Sequence, residues 1–160
     1  MKRTIAAIVL LALSLGSGIS ATDYFAKVNT LIGTKGVGLT SGYLYPGATY
    51  PFGMVQFTPS YFSKRAGFVI NQLSGGGCEH MGNFPTFPLK GKLTVSPGNI
   101  LDHRVSVDCE KGHAGYYQAM VQGDIKSELT VTERTGMARY SYAQGENYGT
   151  VIIGGGVAAT

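Results

Sequence analysis

HAGYYQAMVQGDIKSELTVTERTGMARYSY, residues 113–142, alternates apolar and polar side chains with a period of two. Tyr117, Ala119 and Val121 interleave with Gln118, Met120 and Gln122. Ile125, Leu129 and Val131 fall on one face of the next segment, with Lys126, Glu128, Thr130 and Thr132 on the other. Successive side chains of a strand point to opposite faces, so this period belongs to an antiparallel sheet with one face buried and one wet. Gly123-Asp124 lies between the two segments and signals a hairpin. Arg134-Thr135-Gly136 then turns the chain into a further strand, residues 137–142.

The same alternation extends outward. Leu93 and Val95 interleave with Lys92 and Thr94, and Val105, Val107 and Cys109 with Ser106 and Asp108. Val151-Ile152-Ile153 is a wholly apolar strand candidate. Upstream, residues 52–57 and Phe68-Val69-Ile70 read as short strands. Phe25, Val28 and Leu31 are spaced by three, which permits one helical turn. Gly33, Gly36, Gly38 and Gly42 then break any regular element, and they lack the Lys-Ser/Thr ending of a phosphate loop. There is no long amphipathic helix and no internal repeat. Short strands separated by turns every eight to twelve residues or so predict an all-β, antiparallel β-sandwich over residues 22–160.

Composition fits that class. The chain has 160 residues, with 24 glycines, no tryptophan and a formal charge of +4, enough for one domain and one modest core. Lysine and arginine form no stripe, so nucleic acid is excluded as a partner. Residues 1–21 combine Lys2 and Arg3, an apolar run over 4–15 and the small residues Gly18-Ile19-Ser20-Ala21. This is the pattern of a cleaved signal peptide; the competing reading is an uncleaved anchor. No cysteine follows the run to carry a lipid. The expected location is secreted or periplasmic, with no membrane contact after cleavage.

Residues 73–91, LSGGGCEHMGNFPTFPLKG, hold Gly75, Gly76 and Gly77, then Cys78, Glu79 and His80. Glycines let a backbone approach a ligand closely. Pro85 and Pro88 lack N–H donors, which argues against helix or central strand and for a shaped loop. Loops of that kind carry function more often than packing.

Four motifs give the chain a family resemblance. They are V-N-x-x-I-G-T from Val28, P-G-A-x-x-P-F-G-M-V-Q from Pro46, L-S-G-x-G-C from Leu73 and E-L-T-x-T-x-R-T-G from Glu128. In this order they resemble the N-terminal domain of glycoside hydrolase family ninety-two, from about Val28 to the end of the chain. The resemblance implies a secreted, calcium-dependent exo-α-mannosidase acting on α-mannose-containing glycans. It also implies that the catalytic acid, the base and most calcium ligands lie in a helical-barrel domain C-terminal to this one, so the chain is expected to be a fragment. No catalytic residue, metal site or cofactor is expected within it. The sandwich would lend loops to one wall of the active-site cleft. Carried over by position, these are Ser74, Gly75, Gly77 and Cys78, with Glu79 and His80 as neighbours. Many members carry a histidine or serine before L-S-G; here Val69-Ile70-Asn71-Gln72 has neither, which bears on the outer specificity pocket.

The residues themselves agree with a non-catalytic wall. Glycoside hydrolysis needs two carboxyl groups flanking the scissile bond. Of nine acids, Asp23 is at the start, and Asp102, Asp108, Glu110 and Glu146 read as solvated turns. Asp124 sits in a hairpin, Glu128 shares an outer face with Lys126, and Glu133 adjoins Arg134. Only Glu79 lies on the glycine loop. Tyr43, Tyr45 and Tyr50 read as core or turn residues, or as flat faces for a pyranose. His80, His103 and His113 read as solvated or structural, since Cys78-x-His80 matches no zinc pattern. A Cys78 nucleophile with His80 as base is the remote enzymatic alternative. Cys78 and Cys109 could pair in an exported protein. The placement of Cys78 on the loop favours two free thiols. The rival to the fragment reading is a stand-alone carbohydrate-binding or adhesive sandwich.

Overall fold

The computed structural model describes residues 23–35, 42–60, 66–73, 82–94 and 96–155. The signal-like segment, residues 1–21, lies outside them. The first described element is a 3-10 turn, Phe25–Lys27; Val28 after it is extended, and residues 30–33 turn again rather than running extended. Nine strands follow among the described residues: β1 (Ala48–Thr49), β2 (Gln56–Pro59), β3 (Phe68–Ile70), β4 (Asn83–Lys90), β5 (Val107–His113), β6 (Tyr116–Val121), β7 (Ile125–Val131), β8 (Gly136–Ser141) and β9 (Gly149–Ile153). A second 3-10 turn, Ile100–His103, leads into β5. One sheet runs β1-β2-β3-β4-β9 and the other β5-β6-β7-β8. Every pairing is antiparallel. The fold is therefore all-β, with two sheets packed face to face.

The period of two in the sequence becomes the core. Tyr117, Ala119 and Val121 of β6 are sealed from solvent, as are Ile125 and Leu129 of β7. The five-stranded sheet answers with Phe57, Phe68 and Phe87. The Phe68 ring meets Phe57 edge-on at 6.5 Å and stacks on Tyr140 of β8 at 6.2 Å. Each such side chain contributes about 1.5–3 kcal/mol by leaving water. Lys90, ending β4, pairs with Asp124 at 2.6 Å and so ties the first sheet to the β6–β7 hairpin.

The proline-rich segment is not a loop throughout. Residues 83–90 form β4, an interior strand between β3 and β9. The prolines fit because each lies past the end of one neighbour. β3 begins at Phe68 and β9 ends at Ile153, both opposite Thr86. Pro85 lies beyond the end of β9, where its carbonyl still accepts from Gly154 N–H at 2.9 Å. Alternation turns Pro88 the other way, toward β3 but beyond its first residue. The missing N–H of Pro88 faces past the first residue of β3, and that of Pro85 falls opposite Gly154, where the β4–β9 ladder ends on a single bond; strand prolines are tolerated at such ends. A bulge at the start of β4 completes the fit: two steps of β3 span three of β4, and Phe84 takes φ +51°.

Three further expectations change. The strand expected over 52–57 begins only at Gln56, because Phe52 enters a turn at φ +56°. Lys92 to Thr94 form no strand, and Val95 lies outside the described residues. Cys109 does not continue the face of Val105 and Val107. β5 bulges between Asp108 and Lys111, with Cys109 at φ +52°, and this extra residue sends the thiol outward.

Candidate functional site

The glycine loop spans the gap between β3 and β4. Ser74, Gly75, Gly77, Cys78, Glu79 and His80 lie outside the described residues, so the expectations on them concern positions whose stems alone are defined. Those stems are firmly held. Asn71 adopts φ +55°, a left-handed conformation in which asparagine is enriched. Its N–H donates to the Gln56 carbonyl at 2.8 Å, its Oδ1 accepts from Gln56 N–H at 2.8 Å, and its Nδ2 donates to the Met54 carbonyl at 3.1 Å. Next to it, buried Gln72 donates through Nε2 to the Tyr45 hydroxyl at 2.6 Å. At the far stem, Gly82 has φ +133°, and a Cβ there would sit 2.8 Å from both Gln72 Oε1 and Val69 Cγ2.

The P-G-A-x-x-P-F-G-M-V-Q segment lies against described residues of the other three motifs. Pro46-Gly47 brings β1 onto β2 so closely that a Cβ on Gly47 would lie 2.3 Å from the Phe57 carbonyl oxygen. Met54 N–H donates to the Glu133 carbonyl at 2.7 Å, joining P-F-G-M-V-Q to the turn of E-L-T-x-T-x-R-T-G. Leu44 N–H donates to the Gly33 carbonyl at 3.2 Å, which ties V-N-x-x-I-G-T to the approach of P-G-A. Two surface clefts flank the junction. One, of about 310 Å³, is lined by Thr49, Met54, Asn71, Gln72 and Leu73 among others, at the root of the glycine loop. The other, of about 320 Å³, includes Thr30, Ile32, Tyr45, Pro46 and His113.

Of the three tyrosines, Tyr45 is 6% exposed and gives its ring to the second cleft while its hydroxyl serves Gln72. Tyr43 is half-buried at φ +48°. Tyr50 is exposed and its carbonyl accepts from Gly53 N–H at 2.9 Å. Around that turn Phe52, Met54 and Leu73 are also exposed, Phe52 completely.

Two acids depart from their sequence reading. Glu110 is not in a solvated turn: the β5 bulge leaves its side chain 3% exposed, with the Tyr117 hydroxyl donating at 2.8 Å and Lys35 at 3.4 Å. Glu128 does face outward with Lys126, but it is nearly buried there. It accepts from Tyr116 Oη at 2.7 Å and Arg139 Nε at 2.9 Å, with Lys126 Nζ at 3.0 Å. Arg139 foremost, then Tyr116 and Lys126, hold the Glu128 carboxyl down to about 2. Burial, reinforced by the bond to Glu128, pushes the Tyr116 phenol up. Sequence spacing hides this group, because Glu128 and Arg139 meet only through the β7–β8 register. Asp102 and Glu146 are exposed as expected; Asp108 is exposed too, but in strand β5 and not in a turn.

His103 and His113 lie by backbone carbonyls, at 2.8 Å from Pro97 and 3.0 Å from Ala114. Among the described residues no three His, Cys, Asp or Glu side chains converge in a way that could hold a metal.

Residues 27–157 match the family model described as the glycosyl hydrolase family 92 N-terminal domain. An uncharacterized secreted glycosidase of Arthroderma benhamiae is 29% identical over 140 residues, covering 75% of this chain and 17% of the relative. A family GH92 α-mannosidase from Bacteroides thetaiotaomicron, 28% identical, superposes with a TM-score of 0.66 over 83% of this chain and 20% of its own. An inverting GH92 mannosidase from the same organism, 22% identical, shares the fold at a TM-score of 0.63, over 85% of this chain and 20% of its own. The chain thus spans about a fifth of the length of these relatives.

Proposed function

The chain belongs to the family of glycosyl hydrolase family 92 N-terminal domains, and from that premise we propose that it is the N-terminal wall of a secreted α-mannosidase, with the hydrolytic carboxyl pair and the calcium site supplied by the larger remainder of the enzyme. The carrying observation is the family match over residues 27–157. Its relatives include an α-mannosidase of which the match covers only 20%, which supports a glycan of the α-mannose class as the substrate of the whole protein. The secreted relative supports export of this chain too.

The site geometry supports the division of labour. Among the described residues the two most buried acid side chains, Glu110 and Glu128, are held by the adjacent residues Tyr117 and Tyr116. Adjacent strand residues face opposite sides of a sheet, so these acids cannot flank one glycosidic bond. The braced stems on either side of residues 74–81 support a role for that loop in the cleft. Tyr50, Phe52, Met54 and Leu73 form an apolar surface at its root, suited to docking against the rest of the enzyme.

The test incubates the 160-residue chain, and separately a full-length protein carrying it, with calcium and an aryl α-mannoside. The full-length protein is expected to release mannose and the chain is not. Release by the chain alone, abolished by Glu79→Gln, would overturn the reading. Intact mass of the exported protein tests the leader, with loss of residues 1–20 or 1–21 expected.

A further inference from the structure

The outer face of the four-stranded sheet carries a site that the cleft-wall role does not use. Register lines up Lys111, Gln118, Glu128 and Arg139 in one row across β5 to β8. Beside it runs a row of His113, Tyr116, Thr130 and Met137. A cleft of about 280 Å³ opens between the rows at β7 and β8, walled by Tyr116, Thr130, Met137 and Arg139 over Glu128. A volume of that order takes one small ring.

The polar groups in it are pre-set. Glu128 spends its two oxygens on Tyr116, Lys126 and Arg139. It grips Arg139 only through Nε, so the guanidinium is fixed in direction while its two Nη nitrogens make no hydrogen bond to the described residues. The Arg139 side chain is 72% exposed. Lys126 and Arg139 against Glu128 leave the cluster with one net positive charge. The free Nη edge is a planar pair of donors, which matches the two oxygens of a carboxylate. Met137, 64% exposed, and the Tyr116 ring supply an apolar wall for the body that carries it. His113 stacks on Tyr116 at 4.9 Å, and Phe25 packs on His113 at 5.2 Å, which keeps the Tyr116 ring in place.

We propose that this cleft binds a carboxylate borne on a sugar-sized ring, a uronic-acid-type group, at a site that includes none of the described stem residues of the glycine loop. Arg139 holds the carboxylate, Glu128 positions Arg139, and Met137 with Tyr116 contact the ring.

The experiment titrates the 160-residue chain with methyl glucuronide, methyl mannoside and inorganic phosphate, read by amide chemical shifts. Saturable shifts in β6 to β8 are expected with methyl glucuronide at millimolar concentration. Arg139→Gln should weaken them roughly tenfold, the loss expected from a hydrogen bond to a charged group. Arg139→Lys, which keeps the charge and loses the fork, should also weaken them, and unchanged shifts elsewhere show that both variants fold. The proposal is overturned if methyl glucuronide gives no saturable shift or if Arg139→Gln binds it equally. It is equally overturned if methyl mannoside or phosphate binds as tightly.

Discussion

Tyr140 of β8 and Ser127 of β7 are direct cross-strand partners, and both hydroxyls are buried without a hydrogen-bond partner among the described residues. Burial pushes the Tyr140 phenol far up, so it stays neutral at any working pH. A buried hydroxyl left unpaired costs about 1–3 kcal/mol, whereas an apolar replacement of the same shape removes that cost. Tyr140→Phe keeps the ring stacked on Phe68, and Ser127→Ala removes a single oxygen from a fully buried position. Each change is expected to stabilise the domain by about 1 kcal/mol, the low end of that range because relaxation recovers part of the cost. For a chain of this size that is an increase in Tm of roughly 3–5 °C. Urea and thermal unfolding of the wild type, both single variants and the double variant measure it. The double variant should be at least as stable as either single variant; as direct neighbours, the two changes need not add. A water bridging the pair predicts the reverse: each single variant destabilised, and the double variant recovering by 1 kcal/mol or so. That pattern would refute the reasoning.

Three other outcomes follow from named contacts. Gly47→Ala places a Cβ 2.2 Å from Thr58 Cβ and 2.4 Å from Thr58 Cα, so β1 must leave β2; a loss of about 3 kcal/mol or more is expected in urea unfolding. Glu128 has a folded-state pKa of about 2 against an ordinary 4.5, so its stabilisation is full above about pH 4.5 and disappears as pH falls toward 2. Glu128→Gln should therefore be less stable than wild type at pH 7 and approach it at pH 2, and a difference independent of pH counts against the network. Cys109, exposed on its bulge, should alkylate in the native, unreduced protein; protection there, lifted only by reductant, indicates a disulfide with Cys78.

The period of two over residues 113–142 was enough to give the class, because a side chain's face in a strand depends only on its parity. It placed Tyr117, Ala119, Val121, Ile125 and Leu129 in the core before any contact was known. The four motifs were enough to give the family. Three things needed the tertiary structure. Pro85 and Pro88 sit within an interior strand because each falls past the last paired residue of β9 or the first of β3, and strand ends are not written in a strand's own sequence. Parity fails where a bulge inserts one residue, which is why Cys109 faces out and Glu110 is buried. The union of Glu128, Tyr116 and Arg139 depends on registers across three strands, and register is fixed by how the two sheets close on their core, not by the spacing of residues along the chain.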